Sequence, residues 1–297
     1  MSPLVFMHPD SAGLGEALVD ALNAEPGDLV LRRFPDGESF VRIDSTVWGR
    51  DILLAWRLDR PDDKVVALYL LAQALREQGA RRIILVAPYL PYMRQDVAFH
   101  PGETVSARHF AHWLSNFLDG LVTMDPHLHR IHQLDEVYTI PNHVVPAAPA
   151  IAAWIRDQVP QALLIGPDEE SAQWVAEVAD LAQAPHLVLQ KTRHGDRHVE
   201  VSVPEVERWQ THIPVLVDDI ISTARTMIAT IDHLKAAAMS APVCVGVHAI
   251  FAGDAYTALQ GAQPAAIVSC NTIAHPSNQI DIGPLMAAGV DQLLGAA

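Results

Sequence analysis

Residues 213–230 read IPVLVDDIISTARTMIAT. An apolar run of strand character, Ile213 to Val217, ends at two adjacent carboxylates, Asp218 and Asp219. After Ile220 and Ile221 come Ser222, Thr223, Ala224, Arg225 and Thr226, and a stretch of helical character follows. Strand, polar turn and helix in that order form half of a βαβ unit, which points to an α/β fold on a mostly parallel sheet. Ligands of open α/β sheets sit beyond the carboxyl ends of the strands, so chemistry is expected on this same turn.

The residue types on the turn suit a phosphate. Hydroxyls, free backbone N–H groups and the positive end of a helix dipole hold phosphate oxygens together, and Ser222, Thr223 and Thr226 supply hydroxyls. Two carboxylates just ahead of such a cradle would repel the phosphate unless they bind something else. The hydroxyls of a phosphorylated ribose suit them, directly or through Mg²⁺. A structural alternative stands beside this one: Asp218 and Asp219 cap the helix, and the threonines complete its first turn.

Outward from this stretch the same rhythm recurs. LVFM, DILLAW, RIILVAP and LVTMD in the first half, and ALLIGPDE, HLVLQK, VEVSV, PVLVDD, PVCVGVHAIF and AAIVSC in the second, are strand-like runs, most followed by amphipathic stretches. The rhythm pauses at YTIPNHVVPAAPAIAAWI, where Pro141, Pro146 and Pro149 interrupt it. Two α/β units are therefore expected, 1–143 and 144–297. The other strand-to-helix turns, PYLPYMRQD, MDPHLHR, IGPDEE and SCNTIAHP, are rich in Asp, His, Arg and Thr.

The bulk numbers remove whole classes of function. The chain has 297 residues, 50% hydrophobic and 19% charged, a balance that builds cores and argues against disorder. Against 35 acidic residues stand 20 Lys plus Arg, a formal net charge of -15, so no general nucleic-acid or anionic-membrane surface is expected and any anion site must be local. Cys244 and Cys270, both in apolar runs, indicate neither a disulfide framework nor a cysteine metal cluster. With no signal-like start and no apolar run of membrane-spanning length, a cytoplasmic protein is expected. The chain holds no G-x-x-x-x-G-K-[ST], so ATP, if bound, is bound without a P-loop.

VLVDDIISTARTM resembles the phosphoribosyl-pyrophosphate binding motif shared by type I phosphoribosyltransferases and ribose-phosphate pyrophosphokinases. FPDGESFVRI, PYLPYMRQDVAFHPGETVSARHFA, TMDPHLHRIHQ, GPDEESAQWVAEVA and QKTR resemble, in order, further segments of the pyrophosphokinase family. The likeness spans nearly the whole chain, and its short length and RQDVAFHPGETVS look closer to the archaeal-type enzymes than to the longer phosphate-activated ones. It implies two type I phosphoribosyltransferase-like domains, each a mostly parallel sheet flanked by helices. The implied reaction moves the diphosphoryl group of Mg-ATP to the 1-hydroxyl of ribose 5-phosphate, giving phosphoribosyl pyrophosphate and AMP.

The resemblance also assigns residues. Arg94, Gln95 and Asp96 match an ATP-binding RQD element, in which a guanidinium pairs with phosphate oxygens as a planar fork. Phe34, Asp36 and Glu38 match a loop that holds adenine from a neighbouring subunit, which implies a homodimer or larger homo-oligomer. His127 and Asp168 match Mg²⁺-associated positions; Lys191 and Arg193 match a catalytic KxR pair on a closing loop. Asp218, Asp219, Ser222, Thr223, Ala224, Arg225 and Thr226 match the ribose 5-phosphate loop. His129 and His132 give HLHRIH the look of a zinc site, but the sequence offers no second dense ligand set.

Two departures stand out. Ala224 and Arg225 replace paired glycines, and alanine disfavours a positive φ. Glu169, Glu170 and Ser171 replace a glycine-rich stretch, with Gln173 or Trp174 where an arginine is usual. These departures motivate one competing reading, a catalytically weak or silent regulatory paralogue. A phosphoribosyltransferase that consumes the same product is another, but its usual single domain leaves FPDGE and RQD unexplained.

Overall fold

The computed structural model describes residues 1–167, 171–194, 198–202 and 206–295. They form two compact units: Met1–Val145 with Gly283–Ala297, and Pro146–Ile282.

The first unit runs β1 (Leu4–Met7), α1 (Ala12–Leu22), β2 (Glu25–Pro26), β3 (Leu29–Arg33), β4 (Ser39–Ile43), β5 (Asp51–Ala55), α2 (Val65–Glu77), β6 (Arg82–Val86), α3 (Ser106–Ser115), β7 (Gly120–Met124) and β8 (Asn142–Val145). Its sheet has the order β2-β1-β5-β6-β7-β8, every pairing parallel. The central strands DILLA and GLVTM are buried at every position, as expected of parallel strands covered on both faces. β3 and β4 stand apart as an antiparallel hairpin, with Gly37 at φ 94° in its tip.

The second unit runs α4 (Ala148–Gln158), β9 (Ala162–Gly166), α5 (Ala172–Ala182), β10 (His186–Val188), β11 (Gln190–His194), β12 (His198–Ser202), β13 (Ile213–Ile221), α6 (Arg225–Ala236), β14 (Val243–Ala249), α7 (Ala255–Gly261), β15 (Ala266–Cys270) and β16 (Asn278–Ile280). Its sheet order, β10-β9-β13-β14-β15-β16, is also parallel throughout, and β11 and β12 form a separate antiparallel hairpin. Cys244 and Cys270 are free and buried. No helix among the described residues is long and apolar enough to cross a membrane.

Four features differ from the sequence reading. The proline-rich pause is itself structured: it contains β8 and α4, and Pro149 sits in the first turn of α4, where its missing N–H has no intrahelical partner to lose. The unit boundary falls after Val145, two residues later than expected. Val199 to Ser202 of the VEVSV run belong to the hairpin of β11 and β12, not to the main sheet. The last helix, α8 (Gly283–Gly295), joins the first unit, where it packs on α1, β7 and β8. Gly289 permits that approach, since a Cβ there would lie 2.5 Å from Val145 Cγ2.

Candidate functional site

In each sheet the first strand lies inside the strand that follows it, so the chain leaves in opposite directions from one point: β9/β13 in the second unit and β1/β5 in the first. Crevices open at such switch points, beyond the carboxyl ends of the strands. The two units treat theirs differently.

At β9/β13 lies a small crevice with a mainly apolar lining that includes Ile165, Leu216 and Met227, and with Asp218, Thr226 and Thr230 among its polar residues. β13 does not stop at Val217 as its apolar run suggested. It pairs with β14 as far as Ile221, so Asp218 and Asp219 lie on the strand and the turn proper is Ser222 to Ala224. Both carboxylates are half-buried, and Asp219 accepts the N–H of Ile220 at 2.7 Å. Neither is the N-cap of α6; that position is Ala224, whose side chain makes no cap hydrogen bond.

Ala224 adopts φ 57°, ψ 6°, the left-handed conformation that glycine takes without strain. The chain therefore keeps the backbone path that a glycine would give, at a conformational cost. That path lets α6 begin at Arg225 with the unpaired N–H groups of its first turn at the mouth of the turn. Thr223 and Arg225 are exposed, and Arg225 makes no ion pair among the described residues. The turn is held from behind, since the carbonyls of Ile221 and Ser222 accept N–H bonds from Phe251 and Ala252 at 2.9 and 3.0 Å.

The crevice at β1/β5 is filled by the protein's own charges. Lys64 Nζ, on a side chain 9% exposed, bonds Asp10 Oδ2 at 2.6 Å, Asp59 Oδ1 at 2.8 Å and the Arg57 carbonyl at 3.0 Å. Burial pushes the Asp10 carboxyl up, but hydrogen bonds with His8, Lys64 and Ser11 outweigh it and hold Asp10 well below the usual carboxylate range. Sequence reading missed this cluster, because its members are scattered over more than fifty positions and share no motif.

The remaining candidates of the first unit fall on two loops and a hairpin. Arg94, Gln95 and Asp96 lie between β6 and α3. Arg94 is exposed, Gln95 Oε1 accepts Ser106 Oγ at 2.7 Å, and Asp96 is buried against Arg130. His127 follows β7, half-buried, with its ring stacked on His129 at 6.5 Å between centroids. Phe34, Asp36 and Glu38 form the exposed tip between β3 and β4; Arg32 lies 4.6 Å over the Phe34 ring, and Asp36 Oδ1 accepts the Glu38 N–H.

In the second unit Lys191 and Arg193 lie on β11, opposite Val201 and Val199 of β12. Asp168, Glu169 and Glu170 lie outside the described residues, as do residues 195–197. No group of three or more His, Cys, Asp or Glu placed to hold a metal occurs among the described residues, which do not include Asp168, Glu169 and Glu170. Mg²⁺ suits such a place, because it binds through one or two carboxylates together with phosphate oxygens and water.

Comparison with known proteins bears directly on these elements. Residues 4–117 match the model for the N-terminal domain of ribose phosphate pyrophosphokinase, and residues 133–283 match the phosphoribosyl transferase domain model. The chain is 30% identical over 294 residues to a ribose-phosphate pyrophosphokinase of Methanopyrus kandleri, covering 98% of this chain and 100% of that one. It is 31% identical over 280 residues to one from Halobacterium salinarum, covering 93% and 96%. The fold is similar along its whole length to a phosphoribosylpyrophosphate synthetase from Mycobacterium smegmatis, with a TM-score of 0.85 at 21% identity and 100% of both chains covered.

Proposed function

For a chain that belongs to the ribose-phosphate pyrophosphokinase family, we propose the full transfer: the diphosphoryl group of ATP moves to the 1-hydroxyl of ribose 5-phosphate. The hydroxyl oxygen attacks the β-phosphorus, the bond from that phosphorus to the α,β-bridging oxygen breaks, AMP leaves, and the hydroxyl proton is released. The observation that supports this reading is the left-handed Ala224 ahead of α6, on the turn that follows Asp218 and Asp219, with Asp218 and Thr226 lining one crevice.

In this reading Ser222, Thr223 and Thr226, with Arg225 and the amides around Ala224, take the 5-phosphate, and Asp218 and Asp219 take the ribose hydroxyls. Arg94 pairs with the triphosphate on the nucleotide side, with Gln95 and Asp96 in the same element. Lys191 and Arg193 neutralise charge that grows as the β-phosphorus is transferred, the main demand of phosphoryl chemistry. His127 and Asp168 would hold Mg²⁺, which would supply charge neutralisation on the triphosphate.

Phe34, Asp36 and Glu38 receive the adenine of a neighbouring subunit: the ring stacks and the carboxylates accept from the amino group. Their exposure on a projecting hairpin tip supports this role. If so, an Asp36→Ala chain co-assembled with a Lys191→Ala chain regains part of the activity that each lacks alone. A monomer with full activity would rule the shared pocket out.

The decisive assay for the function is AMP release from ATP, Mg²⁺ and ribose 5-phosphate by the purified protein. Binding of both substrates without AMP would instead identify a silent paralogue.

A further inference from the structure

Two loops of the first unit carry the proposed nucleotide contacts, and one ion pair fastens them together. Asp96, on the loop before α3, has a side chain 4% exposed. Its Oδ2 accepts the backbone N–H of Arg130 at 2.8 Å and its Oδ1 accepts Arg130 Nη1 at 3.1 Å, both from the loop after β7. Burial raises the Asp96 carboxyl, yet the bonds from Arg130 prevail and it lies below its ordinary value.

The clamp is extended at both ends. The Gln95 carbonyl and Oε1 accept Ala107 N at 3.2 Å and Ser106 Oγ at 2.7 Å, fixing the first loop to the start of α3. On the second loop, His129 Nδ1 lies 3.9 Å from Asp96 Oδ2, and its ring stacks on that of His127. The Arg130 guanidinium lies 5.6 Å over the Phe99 ring, which returns it to the first loop. Removing the guanidinium takes a charged partner from a carboxylate 4% exposed and leaves it the backbone N–H of Arg130, so the join between the two loops weakens.

We propose that Arg130 is a positioning residue: by clamping Asp96 it holds the His127 loop against the Arg94–Gln95 loop, and it sets nucleotide turnover without touching substrate. This rests on the proposed diphosphoryl transfer. Nothing in the sequence flagged Arg130, because its partner lies 34 positions away and neither residue signals the pairing.

Steady-state kinetics and hydrogen exchange on the same variants test the clamp. Arg130→Ala should lower kcat/KM for ATP by about 10- to 100-fold, the scale of a small misplacement of reacting groups, while KM for ribose 5-phosphate stays within about twofold. Arg130→Lys should recover part of the loss, and it replaces Arg130→Ala if that chain does not fold. The effects of Asp96→Asn and His127→Ala should shrink in the Arg130→Ala background, as groups acting in one unit do.

Amides of 94–96 and 127–130 should exchange faster in Arg130→Ala than in the wild type, a readout that does not depend on turnover. Losses that multiply independently, a matching rise in KM for ribose 5-phosphate, or unchanged exchange in both loops would overturn the clamp. Wild-type protein that releases no AMP but shows the exchange response would retain the clamp and defeat the transfer reading instead.

Discussion

At Ala224 one side chain sets local conformation against chemistry. The left-handed geometry costs a non-glycine residue about 1–2 kcal/mol, partly offset because glycine loses more chain entropy on folding. Ala224→Gly is therefore expected to stabilise the protein by roughly 0.5–1 kcal/mol, seen as a higher denaturant midpoint with unchanged slope. A lower midpoint would mean that the methyl group, nearly buried in the core of the second unit, contributes more by packing than it costs in strain. On the same turn, Asp218→Asn and Thr226→Ala should raise KM for ribose 5-phosphate well above any change for ATP, because both line the switch-point crevice. Equal losses for the two substrates, measured with each varied separately, would point to general damage. The sequence suggested a phosphate-binding turn here, but not the extension of β13 to Ile221. Apolarity ends at Val217, and only pairing with Gly246, His248 and Ala249 carries the strand onward.

Elements show the same division between what a run of residues can specify and what a partner must supply. DILLA and RIILV read as buried strands at sight, and their parallel register sets Asp51 opposite Arg82. Asp51, 8% exposed at its side chain, is held by Arg82 at 2.8 Å and by Arg81. Burial raises its carboxyl, but the hydrogen bonds from the two arginines prevail and leave it well below its ordinary value. A carboxylate lowered in the folded state contributes stability that is complete above its unfolded pKa, about 3.9, and is lost as pH falls through the folded value. Asp51→Asn should therefore cost about 1.5–3 kcal/mol at pH 6, and the gap between the wild-type and variant melting curves should close steadily below about pH 4. A gap that stayed constant into acid would mean that the pair contributes shape and not charge. Pro149 and the hairpin of β11 and β12 were misread for a related reason. A proline looks like a break until a helix is seen to begin around it, and VEVSV alternates like any strand until its partner proves to be QKTRH.

The whole molecule is one plan used twice. In each unit the first strand is flanked by the second and third sheet strands, and an antiparallel hairpin is inserted between those two in the chain: β3 and β4 in one unit, β11 and β12 in the other. The two hairpins carry FPDGE and KTR, the proposed adenine loop in the turn of one and the proposed catalytic pair on the first strand of the other. The switch point of the second unit has a crevice bearing Asp218 and Thr226, while at that of the first Lys64 bonds Asp10 and Asp59. The repeat was visible in the sequence as a rhythm, but its closure was not. GPLMAAGVDQLLG is an apolar helix that fits any core, and nothing local says that it returns to the first unit. Met286, Ala287, Val290 and Leu293 are buried there, and burying each of the larger side chains contributes about 1.5–3 kcal/mol, a total comparable to the net stability of a domain. A chain ending at Ile282 should therefore lose hydrogen-exchange protection across 1–145 and keep it across 146–282. Gly289→Ala is the graded form of the same test, since its Cβ would press on Val145 and His143 and weaken the first unit selectively. Loss of protection in the second unit, or none in the first, would show that α8 does not close the sheet on which it packs.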